Sequence, residues 1–305
     1  MINFLPTFIL MIISTSLVVI NIICSLTLIT LTGLIKLILP FAPIQKFTRK
    51  IADILLAIWA GINTWMIKLI NKAEWDVEIN DNLSKDNWYL LISNHHSWAD
   101  IVILFSVFAN KIPLPKFFVK QAILYLPFVG TACWALEMPF MKRYSKQILA
   151  KKPHLKGKDM ESARQACAKA KLSPTTIVNF AEGTRFTEEK QQQTNSPYRY
   201  LLPPKSGGIA LSLASMGSTF EQILNVTIIY PDNPESPFKD LLQGKLKRIV
   251  IRVEVIAVTE DLQGDYENDA AFKHHFQQWV THLWQAKDRL IATLHQQTQR
   301  YPPQY

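Results

Sequence analysis

The sequence predicts an α/β protein with a mostly parallel sheet flanked by helices. An N-terminal transmembrane helix and a second, interfacial helix precede it. Three observations carry this reading. Short, β-branched apolar runs alternate with longer helical patterns, the arrangement of strands joined by crossover helices. Hydrophobic residues make up 49% of the 305 residues, high for a soluble chain. The excess sits at the start, where residues 1–35 contain no Asp, Glu, Lys, Arg or His.

The first element runs from about Phe8 to Ile38. As a helix it would be about 45 Å long against a hydrocarbon core of about 30 Å, enough for one tilted span. Residues 1–40 are therefore assigned to a transmembrane helix. Ser14, Thr15, Ser16 and Asn21 dilute it, but small hydroxyl side chains in membrane helices bond back to the backbone. No basic residue precedes the run, and it is too long for the core of a signal peptide. The first basic residues after it are Lys36, Lys46, Arg49 and Lys50, which places the rest of the chain in the cytoplasm. Two short, buried hairpin helices are the alternative.

A second apolar segment, Ile51 to Ile70, contains Asp53 and Lys68. Its uncharged part, 54–67, would span only about 21 Å. Trp59 and Trp65 suit the headgroup level. Residues 41–75 are read as an interfacial or re-entrant helix, the alternative being a helix packed on the following domain. Residues 76–305 form that α/β domain.

Within it, strands are expected at 87–93, 116–119, 175–180, 223–229 and 247–257. Helices are expected at 98–109, about 120–136, 159–171, 206–217 and 268–295. The apolar stretch Ala122–Leu136, interrupted by Pro127 and Gly130, suits either the lining of an acyl-chain tunnel or core packing. The run Gln191–Pro197 reads as a polar loop. Pro203 and Pro204 stop regular structure before Lys205-Ser206-Gly207-Gly208 opens a helix. The last helix offers Phe272, Phe276, Trp279, Leu283 and Leu290 as a packed face, with His274, His275 and His282 on the surface.

The net charge is +9. Lys142, Arg143, Lys146, Lys151, Lys152, Lys156 and Lys158 form a basic cluster suited to anionic headgroups, a phosphorylated substrate or an acidic carrier protein. Nucleic acid is not expected, because no zinc-ligand spacing, RNA-binding aromatic signature or helix-turn-helix pattern accompanies that charge. Cys24, Cys133 and Cys167 are sparse and odd in number, which fits a reducing compartment and apolar filling better than disulfides or a metal site.

The stretch Asn94-His95-His96-Ser97-Trp98-Ala99-Asp100 carries the chemistry. A general base near neutral pH is most often His, and a carboxylate fixes its tautomer. On one continuous helix, residues five apart sit roughly 140° from each other and would not meet. Ser97-x-x-Asp100 reads as a helix start. His95 then lies in the preceding loop, able to fold back onto Asp100. His96 has no such partner. A bland reading is also open, with Asp100 only a first-turn acid facing the helix dipole.

About eighty residues on, Thr175 to Arg185 reads as a buried strand ending in Glu182-Gly183-Thr184-Arg185. Gly permits close backbone approach, and Arg suits bidentate binding of phosphate. Alone, these four residues are an ordinary turn.

Together the two segments resemble the lysophospholipid and glycerol-phosphate acyltransferase family, the 1-acylglycerol-3-phosphate O-acyltransferase type, of the bacterial inner-membrane kind. The family's Asn-His-x4-Asp falls on Asn94, His95 and Asp100, and its Glu-Gly-Thr-Arg on Glu182–Arg185. Its Phe-x-x-Arg falls on Phe140–Arg143, and its Lys-rich segment with Pro-Phe-x-Gly on Lys120 and Pro127–Gly130. Two departures stand out. The last block keeps only Pro231 of Val-Pro-x-x-Pro, and the Phe-x-x-Arg block is more basic than usual.

The resemblance implies transfer of a fatty acyl group from a thioester, acyl-CoA or acyl-carrier protein, to a lysophospholipid hydroxyl. The acceptor is expected to be lysophosphatidic acid, and the place a bacterial inner membrane with the catalytic domain in the cytoplasm. It implies His95 as base with Asp100 as its orienter, and Arg143, Arg185 and Lys120 at the acceptor phosphate. Asn94, Gly183 and Thr184 are placed with the substrate. Glu182 either holds the glycerol hydroxyl or organises its loop. Oxyanion donors are sought among backbone N–H groups near Thr184 or after Ser97. No cofactor or metal is expected. A metal-dependent hydrolase using His95, His96 and Asp100, or a non-enzymatic membrane-anchored lipid- or RNA-binding accessory, are the rival readings.

Overall fold

The computed structural model describes residues 4–79, 81–141, 167 and 170–300. Arg143, the rest of the basic cluster and most of the helix expected at 159–171 lie outside the described residues.

Eight strands occur among the described residues: β1 (Glu74–Ile79), β2 (Tyr89–Ser93), β3 (Pro115–Phe117), β4 (Val119–Lys120), β5 (Phe140–Met141), β6 (Thr176–Phe180), β7 (Gln222–Ile229) and β8 (Arg248–Ala257). Six make one sheet in the order β1-β8-β7-β2-β6-β3, while β4 and β5 pair with each other. The strands β3, β6, β2 and β7 run parallel, β8 is antiparallel to β7, and β1 is parallel to β8. Ser93 sits level with Phe180 and Val226. The loops after β2 and β6 therefore leave the sheet side by side, the usual place for a ligand in an open parallel sheet.

Side chains alternate across β2. Leu90 and Ile92 face a layer formed by α6 (Ser206–Met216) and α8 (Ala270–Arg300), with Ile209, Leu213 and Trp284. Tyr89 and Leu91 face α3 (Ala99–Phe108), with Ile103 and Leu104. A strand covered on both faces reads as a continuous apolar run, and that is why 87–93 was legible. The strand β1 was not expected, because Glu74-Trp75-Asp76-Val77-Glu78-Ile79 is charged and sits on an edge.

Two long helices, α1 (Thr7–Ile38) and α2 (Ala42–Ile70), pack on each other and on the domain. Both are long and apolar enough to cross a membrane. In α1 the buried stripe is mostly small or polar, with Ser14, Asn21, Ser25, Thr32 and Gly33, while Ile12, Ile20, Ile23, Leu31 and Ile35 point outward. Small residues let helices approach closely, and a Cβ on Gly33 would lie 2.7 Å from the Ala135 Cβ. The domain touches α1 near both ends. Ser14 Oγ donates to the carbonyl of Leu242, the last residue of α7 (Pro237–Leu242), at 2.5 Å, and the Thr30 and Thr131 hydroxyls meet at 2.9 Å.

The second helix begins at Ala42, earlier than the expected Ile51. Its buried stripe of Thr48, Ala52, Leu56, Ala60, Asn63 and Ile67 rests on α1 and α3, so it packs on the domain. The helix expected at 120–136 is broken. A single 3₁₀ turn covers Gln121–Tyr125, and α4 (Val129–Ala135) starts only after Phe128 adopts φ 62°. Gly130 is required there, since a Cβ would fall 2.2 Å from the Leu124 carbonyl oxygen. The 191–197 loop expectation also needs correcting. Its first residues belong to a short helix, α5 (Glu188–Gln193), whose N-cap Thr187 accepts from the Lys190 N–H. On α8, Phe276 and Leu283 are buried as expected, while Leu290 is exposed and Trp284 takes the central place.

Candidate active site

Asn94 to Ser97 form the loop between β2 and α3, and the Asp100 carboxylate organises it. Oδ2 accepts from His95 Nδ1 at 2.8 Å, from the His96 N–H at 2.7 Å and from the Ser97 N–H at 2.8 Å. Ser97 Oγ accepts from the Ala99 N–H at 3.2 Å, completing the expected helix start. Asp100 is fully buried, and its other oxygen accepts from the Tyr230 hydroxyl at 2.6 Å. Burial and the Asp100 charge hold that phenol well above its ordinary range. A buried carboxylate with four donors is compensated, and it fixes the proton of His95 on Nδ1. Nε2 is left as the basic atom. The ring lies flat on Phe180, with centroids 4.0 Å apart, and Phe117 continues that stack.

The loop after β6 backs the histidine from behind. Glu182 is buried, with Oε1 accepting from the His95 N–H at 2.8 Å and Oε2 from the Leu202 N–H at 2.9 Å. The Phe186 N–H donates to the His95 carbonyl at 2.7 Å, so His95 is gripped on both backbone groups. Gly183 has φ 69°, the left-handed region, which turns the chain after Glu182. Burial raises the Glu182 carboxyl to about 7, against the pull of the His95 and Leu202 N–H groups and of Lys287, while Asp100 adds to the rise. Thr184 Oγ1 accepts from Lys190 Nζ at 2.9 Å. Arg185 is exposed and lies over the Trp98 ring, 4.7 Å from its centroid.

A family model described as "Acyltransferase" matches residues 74–230, more than half of the chain. The chain belongs to the acyltransferase family. Lysocardiolipin acyltransferase 1 of Gallus gallus is 21% identical over 281 residues, covering 87% of this chain and 70% of that protein. The gamma 1-acyl-sn-glycerol-3-phosphate acyltransferase of Mus musculus is 25% identical over 185 residues, covering 57% of this chain and 44% of that one. The crystal structure of the 1-acyl-sn-glycerophosphate (LPA) acyltransferase PlsC from Thermotoga maritima superposes with a TM-score of 0.53 at 15% identity, over 94% of this chain and 95% of that one. That likeness concerns the fold, a mostly parallel sheet flanked by helices.

In an O-acyltransferase of this family, a base must meet an acceptor hydroxyl, and the His95–Asp100 pair has that geometry. Other expected residues divide into two groups. Asn94 does not offer its amide to substrate. Nδ2 donates to the Ile228 carbonyl at 2.8 Å and Oδ1 accepts from the Ile228 N–H at 2.9 Å, which ties the loop to β7. Glu182 organises the loop, since both of its oxygens are taken by backbone. Gly183, Thr184 and Arg185 line the same turn, and Arg185 is exposed there. Lys120 lies on β4, paired with Met141; Arg143 falls outside the described residues. The His96 and Ser97 N–H groups are spent on Asp100, so neither serves as an oxyanion donor.

The metal-hydrolase reading meets an obstacle in the same bonds. Three N–H groups crowd Asp100 Oδ2, where a cation would need the lone pairs. Among the described residues, no group of three or more His, Cys, Asp or Glu side chains could hold a metal ion. The ring of His96 is used elsewhere, with Nε2 2.6 Å from the Pro234 carbonyl.

Sequence reasoning missed Tyr230, Lys116 and the polar contacts made by α8. Tyr230 sits at a variable position of the Val-Pro-x-x-Pro block, just before Pro231, and a polar residue at that apolar strand end was the available signal. Lys116 on β3 is nearly buried, and burial lowers it from the ordinary lysine range against the pull of Asp53 and Glu137. Lys36 and Arg49 both pair with Glu137, so this cluster fastens α1 and α2 to the segment after α4. On α8, Trp284 Nε1 donates to the Leu202 carbonyl at 3.0 Å. Asp288 accepts from the Arg199 and Tyr200 N–H groups at 3.1 and 2.8 Å. Lys287, fully buried, donates to the Val226 carbonyl and to Thr227 Oγ1. Burial pushes it down to about 7, against the pull of Glu254 and Glu182.

Proposed function

We propose that this acyltransferase moves a fatty acyl group from a thioester donor, acyl-CoA or acyl-carrier protein, to the free hydroxyl of a lysophospholipid, with lysophosphatidic acid the leading acceptor. Two relatives named for lysocardiolipin and for 1-acyl-sn-glycerol-3-phosphate support a lysolipid acceptor. The place is a bacterial inner membrane, entered through α1 and α2, with the domain from residue 76 on the cytoplasmic side. Support comes from the uncharged first 35 residues and the basic residues that follow. The outward apolar face of α1 agrees with this.

The observation that carries the reaction is the 2.8 Å bond from His95 Nδ1 to buried Asp100. It leaves Nε2 to accept the proton of the acceptor hydroxyl. The alkoxide oxygen attacks the thioester carbonyl, the C–O bond forms, and the C–S bond breaks. His95 then returns the proton to the departing thiolate. Direct attack needs no acyl-enzyme, so no nucleophilic Ser or Cys is required. Arg185, with Arg143 and Lys120, is assigned to the acceptor phosphate.

The test is to give the purified protein, in vesicles, labelled acyl-CoA or acyl-carrier protein with a panel of lysolipids. Mass spectrometry then identifies the product. A diacyl phospholipid formed with one of these donors is expected. Free fatty acid alone would point to hydrolysis, and no product from any donor would overturn the reading.

A further inference from the structure

We infer that residues 121–134 form, with the outward face of α1, a preformed surface that sits in the lipid of the bilayer. The inference rests on the membrane reading above and extends it to a part of the α/β domain. Gln121 to Phe128 contains no charged residue. Tyr125 is 78% exposed, Phe128 61% and Leu126 47%, and Leu124 and Trp134 are also open. A contiguous apolar patch of this kind marks a contact surface.

The segment is held in shape. The Leu126 N–H donates to the Ile123 carbonyl at 3.0 Å, and the Gly130 N–H to the Leu126 carbonyl at 2.9 Å. Gly130 also lets the Leu124 carbonyl press against it. The exposed side chains are therefore presented on a fixed knob.

Its position relative to α1 identifies lipid as the occupant. Thr131 meets Thr30, Trp134 and Ala135 lie against Gly33, and Glu137 pairs with Lys36. The two helices thus run in the same direction, side by side. By that register Phe128 stands beside about residue 27 of α1, roughly 13 Å along the axis from Lys36, the first charge. A helix whose uncharged length lies in hydrocarbon carries the knob to the same depth. The knob is also close to the chemistry. It follows the short β3 and β4 strands, and Phe117 of β3 stacks on Phe180, which in turn stacks on His95. A lipid acceptor could then reach the base without leaving the bilayer.

The experiment uses the full chain with Cys24, Cys133 and Cys167 changed to Ala, reconstituted in vesicles of phosphatidylethanolamine and phosphatidylglycerol. A nitroxide is placed at Tyr125→Cys, at Ile20→Cys on the outward face of α1, or at Gln192→Cys on α5. Collisions with oxygen, which partitions into lipid, are compared with collisions with a water-soluble nickel complex. Positions 125 and 20 should both be oxygen-rich, with 192 nickel-rich. If 20 is in lipid and 125 in water, the inference fails while the membrane reading stands. If 20 and 125 are both in water, both fail. If 125 is shielded from both reagents, a second copy or another protein covers the patch, and the inference is overturned.

Discussion

Glu182 holds His95 by its backbone N–H, at 2.8 Å, while Asp100 holds the same residue by its ring. Two carboxylates thus divide one task. One fixes where the base stands, and the other fixes which nitrogen is basic. The Leu202 N–H on the second Glu182 oxygen, and Trp284 on the Leu202 carbonyl, continue the line to α8.

Changing the ring or its partner should stop turnover without unfolding the chain. His95→Ala is expected to lose at least the 10²–10⁴-fold that a positioned base typically contributes. Asp100→Asn should be severely impaired too. His96→Ala should be far milder, because its ring bonds the Pro234 carbonyl and not Asp100. Steady-state rates with folding checked by circular dichroism decide this. An active His95→Ala beside a dead His96→Ala would mean that the wrong histidine has been assigned.

Tyr230→Phe removes one hydrogen bond to the buried Asp100 carboxylate. Bonds to charged groups contribute about 1.5–3 kcal/mol, so kcat should fall by roughly tenfold or more with acceptor KM little changed. Kinetics equal to the parent chain would show that the phenol is a spectator.

Glu182 gives a pH prediction with two signs. Its folded carboxyl is raised from 4.5 to about 7. The proton is bound more tightly in the folded state, so this group's stabilising contribution is full below about 4.5 and lost as pH rises through about 7. Activity should move the other way, because only the carboxylate accepts both N–H groups. Glu182→Gln should flatten this part of the stability profile between those pH values and lower kcat at all of them. Denaturant melts across pH, run beside rate profiles, would expose an error if the slope survives the substitution.

Arg185 stacks on Trp98 and is exposed in its loop. Arg185→Ala should raise acceptor KM by about tenfold or more, the effect of losing one charged hydrogen-bonding partner, with donor KM less affected. Arg185→Lys should recover only part, because the planar fork and the stacking are lost. An acceptor KM that stays put in both variants would remove Arg185 from the phosphate.

Trp284→Phe keeps an aromatic ring in the core but leaves a small cavity and frees the Leu202 carbonyl. A buried carbonyl left without its donor costs about 1–3 kcal/mol. We expect a lower midpoint in chemical denaturation together with a reduced kcat, since the line through Leu202 and Glu182 reaches His95. A loss of stability with kcat intact would confine α8 to packing.

The local pattern was sufficient for a good deal of this protein. Apolar runs bounded by polar turns located β2, β6, β7 and β8, and a parallel sheet followed from their alternation with helices. The spacing of His95 and Asp100 across a helix start allowed them to meet, because it leaves His95 in the loop before the helix. An uncharged run of 35 residues marked α1. Each of these is a short-range property, set by side-chain period and by a turn of a few residues.

Contacts between distant residues could not be seen in this way. Nothing near Glu182 shows that its carboxylate belongs to the His95 N–H, 87 positions away. Asn94 reads as a substrate ligand until β7 arrives beside it and takes both of its amide atoms. Tyr230 becomes a partner of Asp100 only because β7 lies next to β2 in the sheet. The stripe of Ser14, Asn21 and Ser25 on α1 acquires its meaning from the helix and domain packed against it. The sequence by itself determined the chemistry at the end of β2. Strand order and helix docking decided which other residues hold that chemistry in place, because those contacts join groups that lie far apart in the chain.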